Sequence, residues 1–222
     1  MEPRPRGIIF DLDGTLLDTL TDITNATNAA LDSAGLPPCR PDQVRRYVGS
    51  GVHILVRRAS GVDDPQRVED MVRVLRDHYG RHALDNTRLY PGVADMLDSV
   101  AAAGVPMCIF SNKPHTYTVL TVEGLLSAWS FVEVLGESPD NPRKPDPVVA
   151  WRLVDRMGLS RDEVVLVGDS EVDAETGRNA GMTCIGITWG FRDRLDLQRA
   201  GADPIIDHPR ELPPLLGLDS AS

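Results

Sequence analysis

Five short, almost unbroken apolar runs constrain the fold of this chain more than any other feature of its sequence. Strands that are buried on both faces carry such continuous runs, whereas half-exposed strands alternate apolar with polar residues. The pattern therefore predicts an α/β fold built on a doubly wound parallel sheet. The runs are GIIF (7–10), VPMCIF (105–110), VVLVGD (164–169), TCIGIT (183–188) and PIID (204–207), with FVEVLG (131–136) as a weaker sixth strand.

Amphipathic helices are predicted between these runs. Residues 91–104 place four apolar side chains on one helical face and end in a glycine. Residues 146–158 start with Asp146 as the expected N-cap, have a proline at the first helical position and end at Gly158. Residues 170–181 follow the same scheme. The alternation of strand and helix is typical of the doubly wound architecture.

One long interval breaks this alternation. From about Thr19 to Leu89 the pattern is helical, and GLPPCRP and VGSG divide it into four predicted helices. Roughly seventy residues are more than an ordinary connection between two strands needs. We therefore predict a core domain of residues 1–18 plus 90–222 and an inserted four-helix cap domain of residues 19–89.

Composition restricts the partners and the compartment. The formal net charge of −10 disfavours nucleic acid and anionic membrane surfaces as partners. No apolar run is long enough to span a membrane, and the three cysteines are widely separated and odd in number. We expect a cytoplasmic protein, monomeric or homodimeric, whose partner is a small molecule.

Polar residues follow several of the predicted strands. Asp11 and Asp13 follow the first, Ser111 and Asn112 follow the second, and Asp169 follows the run at 164–169. Ligands of open parallel sheets bind beyond the carboxyl ends of the strands, so these residues are expected to meet at one edge. For the aspartate pair alone, a solvated turn is the alternative interpretation. For Ser111 and Asn112, the alternative is capping of the next helix.

The types of residue indicate a particular chemistry. Carboxylates such as Asp11, Asp13 and Asp169 are the hard oxygen ligands that Mg²⁺ prefers. Ser111, Asn112, Lys144 and the backbone N–H groups around Gly14 can hold the oxygens of a phosphoryl group. A carboxylate in such a site can attack phosphorus, and a second one can transfer the proton.

The motifs DLDGTLLD, SNKP, RKPDP and VGDSEVD, in this order and spacing, resemble the four motifs of the haloacid dehalogenase superfamily. The resemblance spans nearly the whole chain. It implies a Rossmann-like core with central strand order 3-2-1-4-5, a cap of the C1 type and a Mg²⁺ cofactor. It further implies roles for individual residues: Asp11 as nucleophile, Asp13 as general acid and base that reaches the metal through its backbone carbonyl, Ser111 and Lys144 as phosphate ligands, and Asp169 as a metal ligand.

For three residues near the site, the sequence leaves more than one role open. Asp173 lies one helical turn after Asp169, where it either contacts the metal directly or has a supporting or helix-capping role. Asn112 either binds phosphate or orders the loop, and the same holds for Lys113. Within the superfamily, dehalogenases lack an aspartate at the position of Asp13, because their reaction has no leaving-group oxygen to protonate. The presence of Asp13 therefore favours phosphoryl transfer over dehalogenation.

Specificity is expected to lie in the cap. The stretch RRYVGSGVHILVRR contains the turn Gly49, Ser50 and Gly51, with Arg45 and other arginines beside it that can bind a small carboxylate. An ordinary turn with solvated arginines is the alternative. YVGSGV, YPGV and GITWGF resemble phosphoglycolate phosphatases, which implies hydrolysis of 2-phosphoglycolate to glycolate and phosphate. Phosphatases of sugar phosphates, nucleotides or pyrophosphate, and a phosphomutase similar to beta-phosphoglucomutase, are the alternatives.

Overall fold

The computed structural model of the protein describes residues 5–218, in which helices and strands alternate as the apolar pattern predicts. The strands are β1 (Gly7–Phe10), β2 (Leu17–Asp18), β3 (Arg88–Leu89), β4 (Met107–Pro114), β5 (Glu133–Glu137), β6 (Val164–Gly168), β7 (Thr183–Ile187) and β8 (Ile205–Ile206). The α-helices are α1 (Leu20–Ser33), α2 (Pro41–Tyr47), α3 (Val52–Ser60), α4 (Pro65–His82), α5 (Val93–Ala102), α6 (His115–Leu125), α7 (Val148–Met157), α8 (Glu171–Ala180), α9 (Arg194–Ala200) and α10 (Leu212–Leu215).

Six strands form one parallel sheet in the order β5-β4-β1-β6-β7-β8. This confirms the doubly wound sheet, and its first five strands have the expected 3-2-1-4-5 order. The winding direction reverses between β1 and β6, which is where such sheets bind ligands. Phe10 is level with Ile109 on β4 and with Val167 on β6. The residues that come shortly after these three aligned positions therefore meet at one edge of the sheet.

Burial on both faces explains why the strands lack polar alternation. Ile8 and Phe10 of β1 pack with Val93 and other side chains of α5 on one face of the sheet. Ile9 points to the opposite face, where it packs with Val149 and other side chains of α7. Because successive side chains of a strand point to opposite faces, each residue of β1 must be apolar or small.

Several element boundaries differ from the prediction, and two of them lie next to predicted site residues. The strand expected to end at Phe110 continues to Pro114, because the backbone pairs again with β5 after an irregularity in register. Helix α7 begins at Val148 rather than at Pro147, because the Asp146 carboxylate accepts a hydrogen bond from the Val148 N–H at 3.0 Å. The N-cap is therefore Pro147 and not Asp146 as predicted, although Asp146 still accepts a hydrogen bond from the first helical N–H group.

Helices α1 to α4 share a hydrophobic cluster that is separate from those of the sheet. All four lie within residues 19–89, the predicted cap, and the division into two domains stays a prediction. Residues 1–4 and 219–222 of the predicted core lie outside the described residues. Within residues 5–218, no helix combines the length and apolar character needed to cross a membrane. The buried members of the cluster are Ile23, Ala26, Ala30, Val44, Val52, Leu55, Val56, Val68, Met71, Val72, Leu75, Tyr79 and Ala83.

The two connections between these helices and the sheet lie side by side. Strands β2 and β3 pair as a short antiparallel ribbon that the sequence pattern does not predict. Beside it, the buried Asp22 accepts hydrogen bonds from the backbone N–H groups of Asn86 (3.0 Å) and Thr87 (2.8 Å) and from both of their side chains. Burial alone would raise the pKa of Asp22, but these hydrogen bonds outweigh it and hold that pKa below its ordinary value.

Replacing Asp22 with asparagine is expected to lower the free energy of unfolding at pH 7 by about 2 kcal/mol, because an amide cannot accept all of these hydrogen bonds. The pKa of Asp22 is lower in the folded state, so its contribution is present above the pKa of the unfolded chain and is lost as the pH falls through the folded pKa. Urea denaturation at several pH values below neutrality should show the difference shrinking towards acid. Asp32→Asn, at an exposed site of α1, is the matched control. A difference independent of pH would contradict this account.

Candidate active site

The turn after β1 points Asp11 and Asp13 to the same side. The carbonyl of Leu12 accepts hydrogen bonds from the N–H groups of Thr15, Leu16 and Leu17, which closes the turn. The Leu12 side chain is fully buried between the two aspartates. Since extended residues alternate in direction, both carboxylates are turned away from the core and towards a cleft.

Lys144 joins two of the predicted acidic residues. Its Nζ lies 2.7 Å from Oδ1 of Asp11 and 2.7 Å from Oδ1 of Asp173. At this distance the Lys144 ammonium group is the partner of the buried Asp11 Oδ1. Burial alone would lower the pKa of Lys144, but Asp11 and Asp173 outweigh it and raise that pKa. Lys144 is therefore a permanent cation beside Asp11.

Two glycines make room for Asp169 beside the turn. A Cβ atom on Gly14 would lie 2.3 Å from Asp169 Oδ2, and one on Gly190 would lie 2.3 Å from Asp169 Cβ. Gly14 also has a φ of +88°, a conformation that disfavours residues with side chains. The Phe191 N–H donates to Asp169 Oδ2 at 2.6 Å and fixes its orientation. Both glycines are thus required for the carboxylate to approach the turn.

Burial raises the pKa values of two carboxyl groups in this site. It raises the pKa of Asp11 to about 7, with Lys144 opposing the shift and Asp173 and Asp13 adding to it. It also raises the pKa of Asp169 well above its ordinary value, with further contributions from Asp11 and Asp173. Such groups ionise readily only when additional positive charge is close.

The acidic residues fit a divalent cation. Carboxylate oxygens of Asp11, Asp169 and Asp173 lie within 4.8 Å of one another. Oxygen donors at this spacing suit a hard cation. Both oxygens of Asp173 are already engaged, one by Lys144 and the other by the Ser170 hydroxyl at 2.6 Å. Asp11 and Asp169 are therefore the available ligands, whereas Asp173 holds Lys144 in place.

Lys113, for which the sequence left phosphate binding and loop ordering open, pairs instead with an acidic residue of the site. Its buried ammonium group donates a hydrogen bond to Asp13 Oδ1 and lies 5.0 Å from the centre of the Tyr79 ring. Burial alone would lower the pKa of Lys113, but Asp13 and Tyr79 outweigh it and raise that pKa. Lys113 follows Asn112 in the SNKP motif, which was the available signal, but its pairing with a residue one hundred positions away was not predictable.

Ser111 and Asn112 line the same cleft but have different surroundings. The Ser111 hydroxyl is buried and accepts a hydrogen bond from the Lys113 N–H at 3.2 Å. Asn112 accepts a hydrogen bond from the Lys144 N–H at 2.7 Å and donates to the carbonyls of Lys144 and Gly49. Asn112 thus orders the loop, as one of the two predicted interpretations states, and its contact with phosphate stays a prediction.

The glycine-rich turn between α2 and α3 lies over this edge of the sheet. The Gly49 carbonyl accepts the hydrogen bond from Asn112 at 2.8 Å, and the Ser50 carbonyl accepts one from Arg143 at 3.1 Å. Gly49 and Gly51 line the cleft, but Ser50 does not. A Cβ atom on Gly51 would lie 2.4 Å from Arg143 Nη1, so only glycine fits there without displacement of that side chain. The turn is thus held in place from the core by two side chains.

Arg45 differs from its predicted role as a carboxylate ligand. Its guanidinium donates to the carbonyls of Gly190 and Phe191, because α2 packs against the loop after β7. In return, Arg192 of that loop donates to the carbonyls of Arg45 and Val48, each at 2.9 Å. Arg45 does not line the cleft. The two arginines instead connect the helical insertion to the core.

The cleft has a polar floor and a largely apolar wall. Its empty volume, including the open mouth, is about 770 Å³. Asp11, Asp13, Ser111, Lys144 and Asp169 line the floor at the carboxyl ends of the strands. Apolar side chains of the helical insertion form the wall above them. These are Ile23, Val48, Val52, Leu55 and Leu75.

This fold and site define a class of enzyme. A doubly wound parallel sheet that brings carboxylates, lysines and a serine together at its switch point is suited to hydrolysis of phosphate esters. The family model described as haloacid dehalogenase-like hydrolase matches residues 8–187. The chain belongs to this family, and the predicted family is confirmed.

Its relatives specify the type of activity. The chain is 32% identical to a phosphoglycolate phosphatase of Escherichia coli K12, over 96% of this chain and 93% of that protein. It is 30% identical to phosphoglycolate phosphatase 1 of Pseudomonas aeruginosa, over 95% and 79% of the two chains. A candidate phosphoglycolate phosphatase structure from Lactobacillus delbrueckii subsp. bulgaricus matches with a TM-score of 0.88 and 32% identity, covering 97% of this chain and 100% of that one. The protein is a phosphatase of this family.

Proposed function

We propose that the protein is a Mg²⁺-dependent phosphomonoesterase that hydrolyses 2-phosphoglycolate through an acyl phosphate intermediate on Asp11. The observation that carries the proposal is the environment of Asp11. Its Oδ1 is buried at the floor of the cleft and lies 2.7 Å from the Lys144 ammonium group. A buried carboxylate next to a fixed cation is suited to attack an anionic phosphoryl group.

Two carboxylates divide the chemical work. An oxygen of Asp11 attacks phosphorus, the bond between phosphorus and the leaving oxygen breaks, and Asp13 gives that oxygen its proton. In the second step, water attacks phosphorus and gives a proton back to Asp13. The bond between phosphorus and Asp11 then breaks and releases inorganic phosphate. Lys113 donates to Asp13 and orients its carboxylate towards the cleft.

The remaining polar residues hold the phosphoryl group. Lys144 supplies a positive charge, and its ion pair with Asp173 keeps the ammonium group in position. Ser111 supplies a buried hydroxyl. Asp11, Asp169 and the backbone carbonyl of Asp13 would hold Mg²⁺. When bound, the ion neutralises charge on the phosphoryl oxygens and on the crowded carboxylates.

Support for the substrate comes from the relatives. Those described above are named phosphoglycolate phosphatases, and the chain covers most of the length of each. The cysteines Cys39, Cys108 and Cys184 are unpaired, which suits a reducing compartment, and we propose that the protein acts in the cytoplasm.

A phosphate-release assay tests this proposal. We expect 2-phosphoglycolate to have the highest kcat/KM in a panel that also contains sugar phosphates, nucleotides, pyrophosphate and ethyl phosphate. EDTA should abolish release, and an excess of Mg²⁺ should restore it. Phosphate release that persists in EDTA would refute the role of the metal. A clear preference for another member of the panel would refute the proposed substrate.

A further inference from the structure

Arg76 of α4 lines the cleft without an acidic partner among the described residues. The neighbouring arginines Arg73 and Arg81 form ion pairs with acids of their own helix, Asp70 and Asp77. Arg76 cannot do so, because the positions three and four residues away hold Val72, Arg73, Tyr79 and Gly80. It is half-buried and lines the cleft together with Leu75. Its charge is therefore available to a bound molecule.

The other cations of the cleft are already engaged. Lys144 pairs with Asp11 and Asp173, and Lys113 pairs with Asp13. The Arg192 side chain forms an ion pair with Glu171 at 2.8 Å and also donates to backbone carbonyls across the cleft. By elimination among the residues that line the cleft, Arg76 is the cation that remains for a second anionic group of the substrate.

The backbone of Arg76 is anchored to the core. The Tyr117 hydroxyl of α6 donates a hydrogen bond to the Arg76 carbonyl at 2.7 Å. The Tyr117 ring packs edge-on against Tyr79, with ring centres 5.6 Å apart. These two contacts tie α4 to α6 beside the cleft. The apolar wall around Arg76 lowers the local dielectric constant and strengthens any ion pair formed there.

We propose that Arg76 binds the carboxylate of the substrate's leaving group. The inference rests on the proposed function and assigns the residue that recognises the glycolate part. A guanidinium group presents two parallel N–H donors that match the two oxygens of a carboxylate. Arg76 thus takes the role for which Arg45 was one of the candidates in the sequence, since the Arg45 guanidinium is bound to backbone carbonyls.

The test compares two substrates that differ only in this group. Ethyl phosphate has a methyl group in place of the carboxylate of 2-phosphoglycolate. In Arg76→Met, we expect kcat/KM for 2-phosphoglycolate to fall by about 10- to 100-fold, mainly through KM, and the preference for it over ethyl phosphate to disappear. Arg76→Lys should restore part of the preference. Arg73→Met, at an exposed site of the same helix, should leave the preference unchanged, and thermal unfolding should show that all variants are folded.

Each outcome separates the inference from the function on which it rests. If the wild-type enzyme itself does not prefer 2-phosphoglycolate, the proposed substrate is wrong and the assignment of Arg76 is wrong with it. If the wild-type enzyme has the preference and Arg76→Met keeps it, only the assignment is overturned. A third substrate, glucose 1,6-bisphosphate, tests whether Arg76 binds a second phosphate group of a substrate and not a carboxylate. If Arg76→Met impairs only this compound, Arg76 binds a phosphate and the carboxylate assignment is overturned.

Discussion

Replacing Asp11 with asparagine is expected to reduce phosphatase activity by more than about 10⁴-fold, as loss of a nucleophile does in other enzymes with covalent catalysis. An amide does not attack phosphorus, and the other carboxylates that the structure describes at this site are engaged. Asp13 accepts a hydrogen bond from Lys113. Asp173 is bound to Lys144 and Ser170, and Asp169 is oriented by the Phe191 N–H. The measurement is steady-state phosphate release with saturating Mg²⁺.

The same variant is expected to fold normally. Lys144 keeps its hydrogen bond with Asp173 at 2.7 Å, so no buried cation is left unpaired. Removal of one of three crowded carboxylates also relieves repulsion in the metal-free protein. Asp18→Asn, an exposed substitution in the same motif, serves as the control that retains activity. An Asp11→Asn enzyme with substantial Mg²⁺-dependent activity would show that Asp11 is not the nucleophile.

Replacing Asp13 with asparagine is expected to slow hydrolysis of 2-phosphoglycolate by about 10²- to 10⁴-fold, the usual contribution of a general acid and base. The loss should depend on the leaving group. p-Nitrophenol leaves without a proton, so transfer of the phosphoryl group to Asp11 from p-nitrophenyl phosphate should persist in the variant. The attack of water in the second step still lacks its base. Stopped-flow absorbance should therefore show a burst of p-nitrophenol equal to the enzyme concentration, followed by slow turnover.

The control for Asp13→Asn is the wild-type enzyme, in which the second step keeps pace and the burst should be absent or small. Thermal unfolding should show that loss of the contact between Asp13 and Lys113 does not unfold the variant. Equal losses with both substrates and no burst would mean that Asp13 does not carry protons in both steps.

Much of the core could be predicted because its signals are local. β1 has the predicted bounds, since a strand buried on both faces must be apolar throughout. The convergence of Asp11, Ser111 and Asp169 follows from parallel strands whose ends are level. By contrast, β2 and β3 are two residues long, too short for any periodicity, and they form only because the two connections lie side by side.

The contacts between the helical insertion and the core were not predictable. Asn112 and Lys113 are adjacent in sequence, yet one binds Lys144 and the carbonyl of Gly49 and the other binds Asp13. Arg45 was a candidate for binding the substrate. A sequence does not show that backbone carbonyls of a distant loop accept the hydrogen bonds of its guanidinium group. For Arg76 a signal was present, namely the lack of an acid three or four residues away. It becomes meaningful only once α4 is placed beside the cleft.

The central claim, that a phosphoryl group is transferred to Asp11, is tested most directly by trapping it there. Asp13→Asn is mixed with p-nitrophenyl phosphate and Mg²⁺, quenched in acid during the burst and digested for peptide mass spectrometry. The account predicts one phosphoryl group on the peptide that contains Asp11, located at that residue by borohydride reduction of the acyl phosphate. Turnover without any phosphorylated carboxylate, or with the phosphoryl group on a different residue, would contradict it.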